Sequence, residues 1–88
     1  MKIDPEFIAR DIAGDLVLVP VGEAARKCAG LITCNEVGAF IWHALEDGCS
    51  ESELLTRVLD EFDTDESTAS ADIREFIGKL TDLGALIP

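Results

Sequence analysis

The chain has 88 residues, 48% of them hydrophobic and 28% charged, a balance that predicts one small globular domain over residues 1–88 and excludes a disordered chain. Its 18 acidic residues against 7 basic ones give a net charge of −11, which argues against nucleic acid, whose phosphates are bound by Lys and Arg, and against an anionic membrane surface. The longest apolar run, Leu16 to Val21, is far too short to span a bilayer.

From Glu6 to Cys34 the pattern is that of strands. Phe7 to Ile12 alternates roughly, and Leu16-Val17-Leu18-Val19 is apolar on both faces and rich in branched residues. Between them, Ala13-Gly14-Asp15 predicts a tight hairpin in which Gly14 takes positive φ. Pro20 lacks the donor that a ladder needs, so it belongs at a strand end or on an edge. Gly22 to Lys27 reads as a polar connector, and Gly30-Leu31-Ile32-Thr33 as a third short strand completing an antiparallel meander.

From Asn35 onward the period becomes helical. Asn35 is a good N-cap, and Val37, Phe40, Ile41, Ala44 and Leu45 follow on one stripe up to Gly48. Ser50 and Glu53 form a capping box for a second helix carrying Leu54, Leu55, Val58, Leu59 and Phe62. After the acidic break Asp63-Thr64-Asp65, either Thr64 or Asp65 caps a third helix that presents Ala69, Ile73, Phe76, Ile77, Leu80 and Leu83 before Gly84. Ala85-Leu86-Ile87 has the makings of a short closing strand. Three antiparallel strands followed by three helices is an α+β order, and one amphipathic helix across a small sheet with two more completing the core resembles a winged helix-turn-helix.

Few residues offer chemistry. The order Cys28-x5-Cys34-x8-His43-x5-Cys49 lacks the closely spaced pair that presents two thiolates to a structural zinc. A helix also separates Cys34 from Cys49. His43, the only histidine, falls off the main helical stripe and is expected at the surface rather than beside a nucleophile. Asp63-x-Asp65 lacks the glycine and later glutamate of a calcium loop. We therefore expect no catalytic residue, metal or cofactor, and no enzymatic activity. Three cysteines, with no apolar stretch of signal-peptide length after Met1, lead us to expect reduced thiols in a cytoplasmic protein. What remains is shape. If the third strand is a sheet edge, its free amides and carbonyls are a template for an incoming strand, with the wide apolar face of the last helix beside it.

The run Leu31-Ile32-Thr33-Cys34-Asn35-Glu36-Val37-Gly38-Ala39-Phe40-Ile41-Trp42 is similar to the PqqD-like pattern of strand, Asn, and small-residue-rich helix ending in an aromatic. Leu45-Glu46-Asp47-Gly48, Leu83-Gly84-Ala85-Leu86-Ile87 and the upstream Phe7-Ile8-Ala9-Arg10 and Leu16 to Pro20 extend the likeness over nearly the whole chain. The resemblance implies a RiPP recognition element, where RiPP denotes a ribosomally made, post-translationally modified peptide. It implies that the leader of a precursor peptide adds to the third strand, through Cys28, Ala29, Gly30, Leu31, Ile32 and Thr33. Groove contacts would come from Ala69, Ile73, Phe76, Ile77 and Leu80. The partner so implied is a maturase, often a radical S-adenosylmethionine (radical SAM) enzyme. Nothing singles out PQQ biosynthesis, so the general function is preferred to the named cofactor. The alternatives are a winged-helix DNA-binding regulator and a structural dimerisation module, with either a monomer or a homodimer in solution. A DNA reader needs a basic recognition helix, whereas the third helix sets Arg74 and Lys79 against Glu66, Asp72, Glu75 and Asp82.

Overall fold

The computed structural model describes residues 2–27 and 32–87. The order is β1 (Lys2–Ile3), β2 (Phe7–Ile12), β3 (Asp15–Pro20), α1 (Glu23–Lys27), β4 (Ile32–Cys34), α2 (Glu36–Glu46), α3 (Glu51–Glu61), α4 (Glu66–Asp82) and β5 (Leu86–Ile87). Strands β2, β3 and β4 form the expected antiparallel meander, in that order. The three expected helices are α2, α3 and α4, and together they give the α+β, winged-helix-like arrangement.

The hairpin joining β2 to β3 turns on Ala13 and Gly14, at φ 53° and 89°. Two left-handed central residues make a type I′ turn, whose twist matches that of the flanking strands. Gly14 bears this φ freely, but Ala13 has a Cβ that crowds the next carbonyl. Replacing Ala13 with Asn, which tolerates the left-handed region, is expected to stabilise the fold by about 0.5–1 kcal/mol. A thermal midpoint several degrees higher, on the order of 4 °C, checks this.

The helices start where the sequence places their caps. Asn35 Oδ1 accepts from the Gly38 amide at 2.8 Å. Ser50 and Glu53 complete the capping box, with Ser50 N–H donating to Glu53 Oε1 at 3.1 Å and Glu53 N–H to Ser50 Oγ at 3.3 Å. Of the two candidates for the last helix, Asp65 is the cap, accepting from the Thr68 amide at 2.7 Å. Hydrogen bonds from Ser50 hold the Glu53 carboxyl below its usual range, and those from Thr68 do the same for Asp65. Each group is thus more acidic folded than unfolded. Its contribution is complete above the unfolded value and is lost as pH falls through the folded one. Thermal melts should show stability declining below the ordinary carboxylate range. Glu53→Gln with Asp65→Asn, which keeps both caps but removes both titrations, should flatten that decline.

One apolar cluster joins sheet and helices: Leu16 and Leu18 of β3, Cys34 of β4, Ile41, Trp42 and Leu45 of α2, Leu54 and Val58 of α3, and Ile73 and Leu80 of α4. Helix α2 buries more than its predicted stripe, because Gly38 and Trp42 are enclosed as well. Trp42 is only 1% exposed and its indole N–H finds no acceptor among the described residues. Phe40 meets Phe62 edge to face, with ring centroids 5.3 Å apart.

Two elements depart from the sequence reading. Leu86–Ile87 does form a closing strand, but it pairs with the unpredicted β1 in a separate two-stranded ribbon. The polar connector contains the short helix α1, made of the good helix formers Glu23-Ala24-Ala25-Arg26-Lys27. Its first amide donates to the Glu6 side chain at 2.9 Å.

Candidate functional site

The open edge of β4 is the first part of the site. Strand β4 pairs with β3 through Leu16↔Cys34, Val17↔Thr33 and Leu18↔Ile32, and among the described residues nothing pairs with its other side. The hairpin fixes which groups face outward. In a two-residue turn the flanking pair, Ile12 and Asp15, exchanges hydrogen bonds, and bonded and non-bonded pairs then alternate along the ladder. Arg10↔Val17 and Ile8↔Val19 are therefore bonded pairs and Phe7↔Pro20 is not, as Pro20 requires. The Val21 amide donates to the Glu6 carbonyl at 2.7 Å, in phase with this alternation. Since Val17 spends its backbone groups on β2, Leu16 and Leu18 must turn theirs to β4. Ile32 and Cys34 answer them. The Thr33 N–H and C=O are left pointing away from the sheet, ready for another strand.

Beside the end of β4 lies the second part, a cleft of about 80 Å³ between the start of α2 and the middle of α4, lined by Asn35, Val37, Gly38, Phe76 and Lys79 among others. Its shape depends on Gly38. A Cβ there would stand 3.0 Å from Cε1 of Phe76, so the missing side chain lets the ring settle against α2. Charge in the cleft is mixed: Lys79 lies 3.6 Å from Glu75, and Asp72 adds a further carboxylate. Burial raises the Cys34 thiol above its ordinary range, and the Lys79 ammonium opposes this only partly. Such an upward shift is what burial in apolar surroundings gives a core thiol.

The expected site residues divide sharply. Thr33 is exposed and Ile32 half-buried on β4, while Phe76 and Ile77 are half-buried on α4. Ala69, Ile73 and Leu80 are 0%, 2% and 0% exposed. They belong to the core, with almost no exposed surface. Cys28, Ala29, Gly30 and Leu31 lie outside the described residues. Asn35, Val37, Gly38 and Lys79, which line the cleft, were not among the contact residues expected from the sequence. The glycine between Val37 and Ala39 on an otherwise apolar helix was the available signal for close approach.

Among the described residues, Cys34, Cys49 and His43 form no shared hydrogen-bonded cluster. Cys34 and His43 both border a shallow depression with Asp11, Asp15 and Glu36. No hydrogen bond joins them among the described residues, and His43 Nδ1 instead meets Glu46 Oε1 at 2.8 Å. Cys49 is buried separately.

Two solved structures and one family model are similar to this chain. A solved structure described as TbiB1 in complex with the TbiA(beta) leader peptide is 26% identical, with a TM-score of 0.80, over 98% of this chain and 94% of that one. Another, lasso peptide synthetase B1 complexed with the leader peptide, is 21% identical with a TM-score of 0.79 over 99% and 96%, and shares the fold. No curated protein matches the chain. The family model for coenzyme PQQ synthesis protein D (PqqD) matches residues 16–86, which is most of the sequence and includes all but the first residue of β3, together with β4 and helices α1 to α4. The chain belongs to the PqqD family.

Proposed function

We propose that this protein binds the leader of a ribosomally made precursor peptide by strand addition to β4 and holds it for the enzyme that modifies the peptide. The observation that carries this is the outward-facing backbone of Thr33 beside the cleft under Phe76. Backbone bonds to an edge supply affinity without regard to sequence, and alternate side chains entering a groove supply selectivity. The contact set comprises Thr33 and Ile32 on the strand and Phe76 and Ile77 on α4. Cys28, Ala29, Gly30 and Leu31 would extend the edge upstream. The domain acts as one unit over 1–88, and no step of this role uses a cofactor or a catalytic side chain.

The family resemblance points to a radical SAM maturase as the enzyme served. A second reading, in which the precursor is of the lasso class, draws on the leader complex of lasso peptide synthetase B1, which matches this chain along nearly its full length. Both readings require leader binding. DNA binding is disfavoured by the acidity of α4, where Lys79 is engaged by Glu75.

The test is fluorescence anisotropy with labelled leader from the precursor encoded beside this protein. Saturable binding near one micromolar or tighter, about −8 kcal/mol, is expected. Labelled duplex DNA at low salt should give no change. Binding of DNA in place of leader would overturn the proposal.

A further inference from the structure

The two walls of the cleft beside β4 differ in chemistry. On α2, Val37, Gly38 and Ile41 carry no charge. On α4, Asp72, Glu75, Phe76 and Lys79 stand three and four residues apart and so form one stripe along the helix. Every charged group of the cleft is therefore on α4, and two carboxylates face one ammonium. Lys79 Nζ lies 3.6 Å from Glu75 Oε1, which leaves Asp72, exposed and in no ion pair among the described residues. The cleft thus joins an apolar wall, an aromatic ring and a carboxylate with no cation of its own.

We propose that the leader recognised by this domain carries a lysine or arginine that seats in the cleft, its stem against Phe76 and its charge on Asp72. The inference rests on leader addition at β4. A strand added there sets the residue opposite Thr33 on the outer face of the sheet, and the next residue turns inward, toward the helices. At about 80 Å³ the cleft is narrow, which suits a straight side chain. Lysine and arginine lay an apolar stem along an apolar wall and keep the charged head at the rim, and a cation is also attracted to the face of an aromatic ring. A strand laid across the cleft takes water from Asp72, and a cation offsets that lost hydration where a neutral side chain does not. An acidic leader residue is a poorer occupant. It meets Asp72 and Glu75 as like charges, and the ammonium it needs is already engaged by Glu75. The net charge of −11 acts in the same direction at longer range, drawing basic peptides and repelling acidic ones.

The experiment measures binding of labelled leader, from the precursor encoded beside this protein, to native, Asp72→Asn and Asp72→Lys domains. It repeats this with each basic residue of the leader changed in turn to glutamine and to glutamate. Asp72 is exposed, so both variants should melt as the native domain does. Asp72→Asn should bind native leader about fivefold more weakly, and Asp72→Lys about tenfold more weakly or worse. At one leader position, glutamine should cost the native domain about fivefold and the Asp72→Asn domain almost nothing, the signature of a direct pair. Glutamate at that position should restore binding to Asp72→Lys. Equal binding of native leader by all three domains would overturn the inference, as would a leader in which no basic position is coupled to Asp72. Tighter binding by Asp72→Lys would overturn it as well, giving the cleft to an acidic leader residue. In each of these results leader still binds and Thr33→Pro still weakens it, so strand addition stands. Failure of the native domain to bind leader would overturn the strand-addition reading and this inference with it.

Discussion

Leu80→Ala is expected to lower stability by about 2–5 kcal/mol, whereas Phe76→Ala, one helical turn away, acts mainly on leader binding. Leu80 is fully enclosed, so truncation removes buried methyl groups and leaves a cavity that its neighbours fill only in part. Phe76 is half-buried and its ring forms a wall of the cleft against Gly38. Part of its truncation cost is spared because water can reach the gap. We expect about 1–2 kcal/mol of stability to be lost at Phe76, with leader affinity down by about tenfold or more. Denaturant titrations followed by the single, buried Trp42, together with leader anisotropy on the same samples, separate the two effects. Equal stability losses with unchanged binding in both variants would mean that Phe76 is core and the groove lies elsewhere.

Thr33→Pro is expected to abolish most leader binding while leaving the domain folded, and Ile32→Pro to do the reverse damage. The phase of the ladder gives the reason. The Thr33 amide faces the open edge, so proline there removes a donor that the domain itself does not use and puts ring atoms where an incoming carbonyl would sit. Loss of one backbone bond together with this clash should weaken leader binding by tenfold or more, about 1.4 kcal/mol. The Ile32 amide faces Leu18, so proline there breaks the β3–β4 ladder and strands a carbonyl at a cost of about 1–3 kcal/mol. Circular dichroism melts and leader titrations of both variants check the pair. If Thr33→Pro binds leader as the native domain does, leader does not add at this edge.

Much of this fold was legible in the sequence because its punctuation is chemical. Ser50 and Glu53 could satisfy each other only at a helix start, Asn35 and Asp65 accept from amides three residues on, and Gly14 and Pro20 fall where their backbone limits demand. The short elements were not legible. Two-residue β1 has no period to detect, and its pairing with β5 depends on the chain ends meeting in space. Helix α1 is too short for an amphipathic stripe, although Glu-Ala-Ala-Arg-Lys carries helix propensity. The division of α4 was also hidden. Ala69, Ile73, Phe76, Ile77 and Leu80 lie within one wide apolar face, and only the packing of α2 and α3 shows that the first two and the last are enclosed. Likewise, the sequence indicated an edge strand at Ile32 and Thr33, but which amide points outward follows from the pairing register counted back to the type I′ turn. The family resemblance named both the strand and the helix. It could not sort groove from core.

The most direct test of strand addition is an NMR amide-shift titration of the domain with leader from the precursor encoded beside it. The account predicts the largest changes at Thr33 and its neighbours on β4, with a second group at Asn35, Gly38, Phe76 and Ile77 around the cleft and little change at Leu54 or Val58 in the core. An absence of shifts at leader concentrations on the order of several hundred micromolar, far above an affinity near one micromolar, would contradict it, as would shifts confined to the distant face of α3.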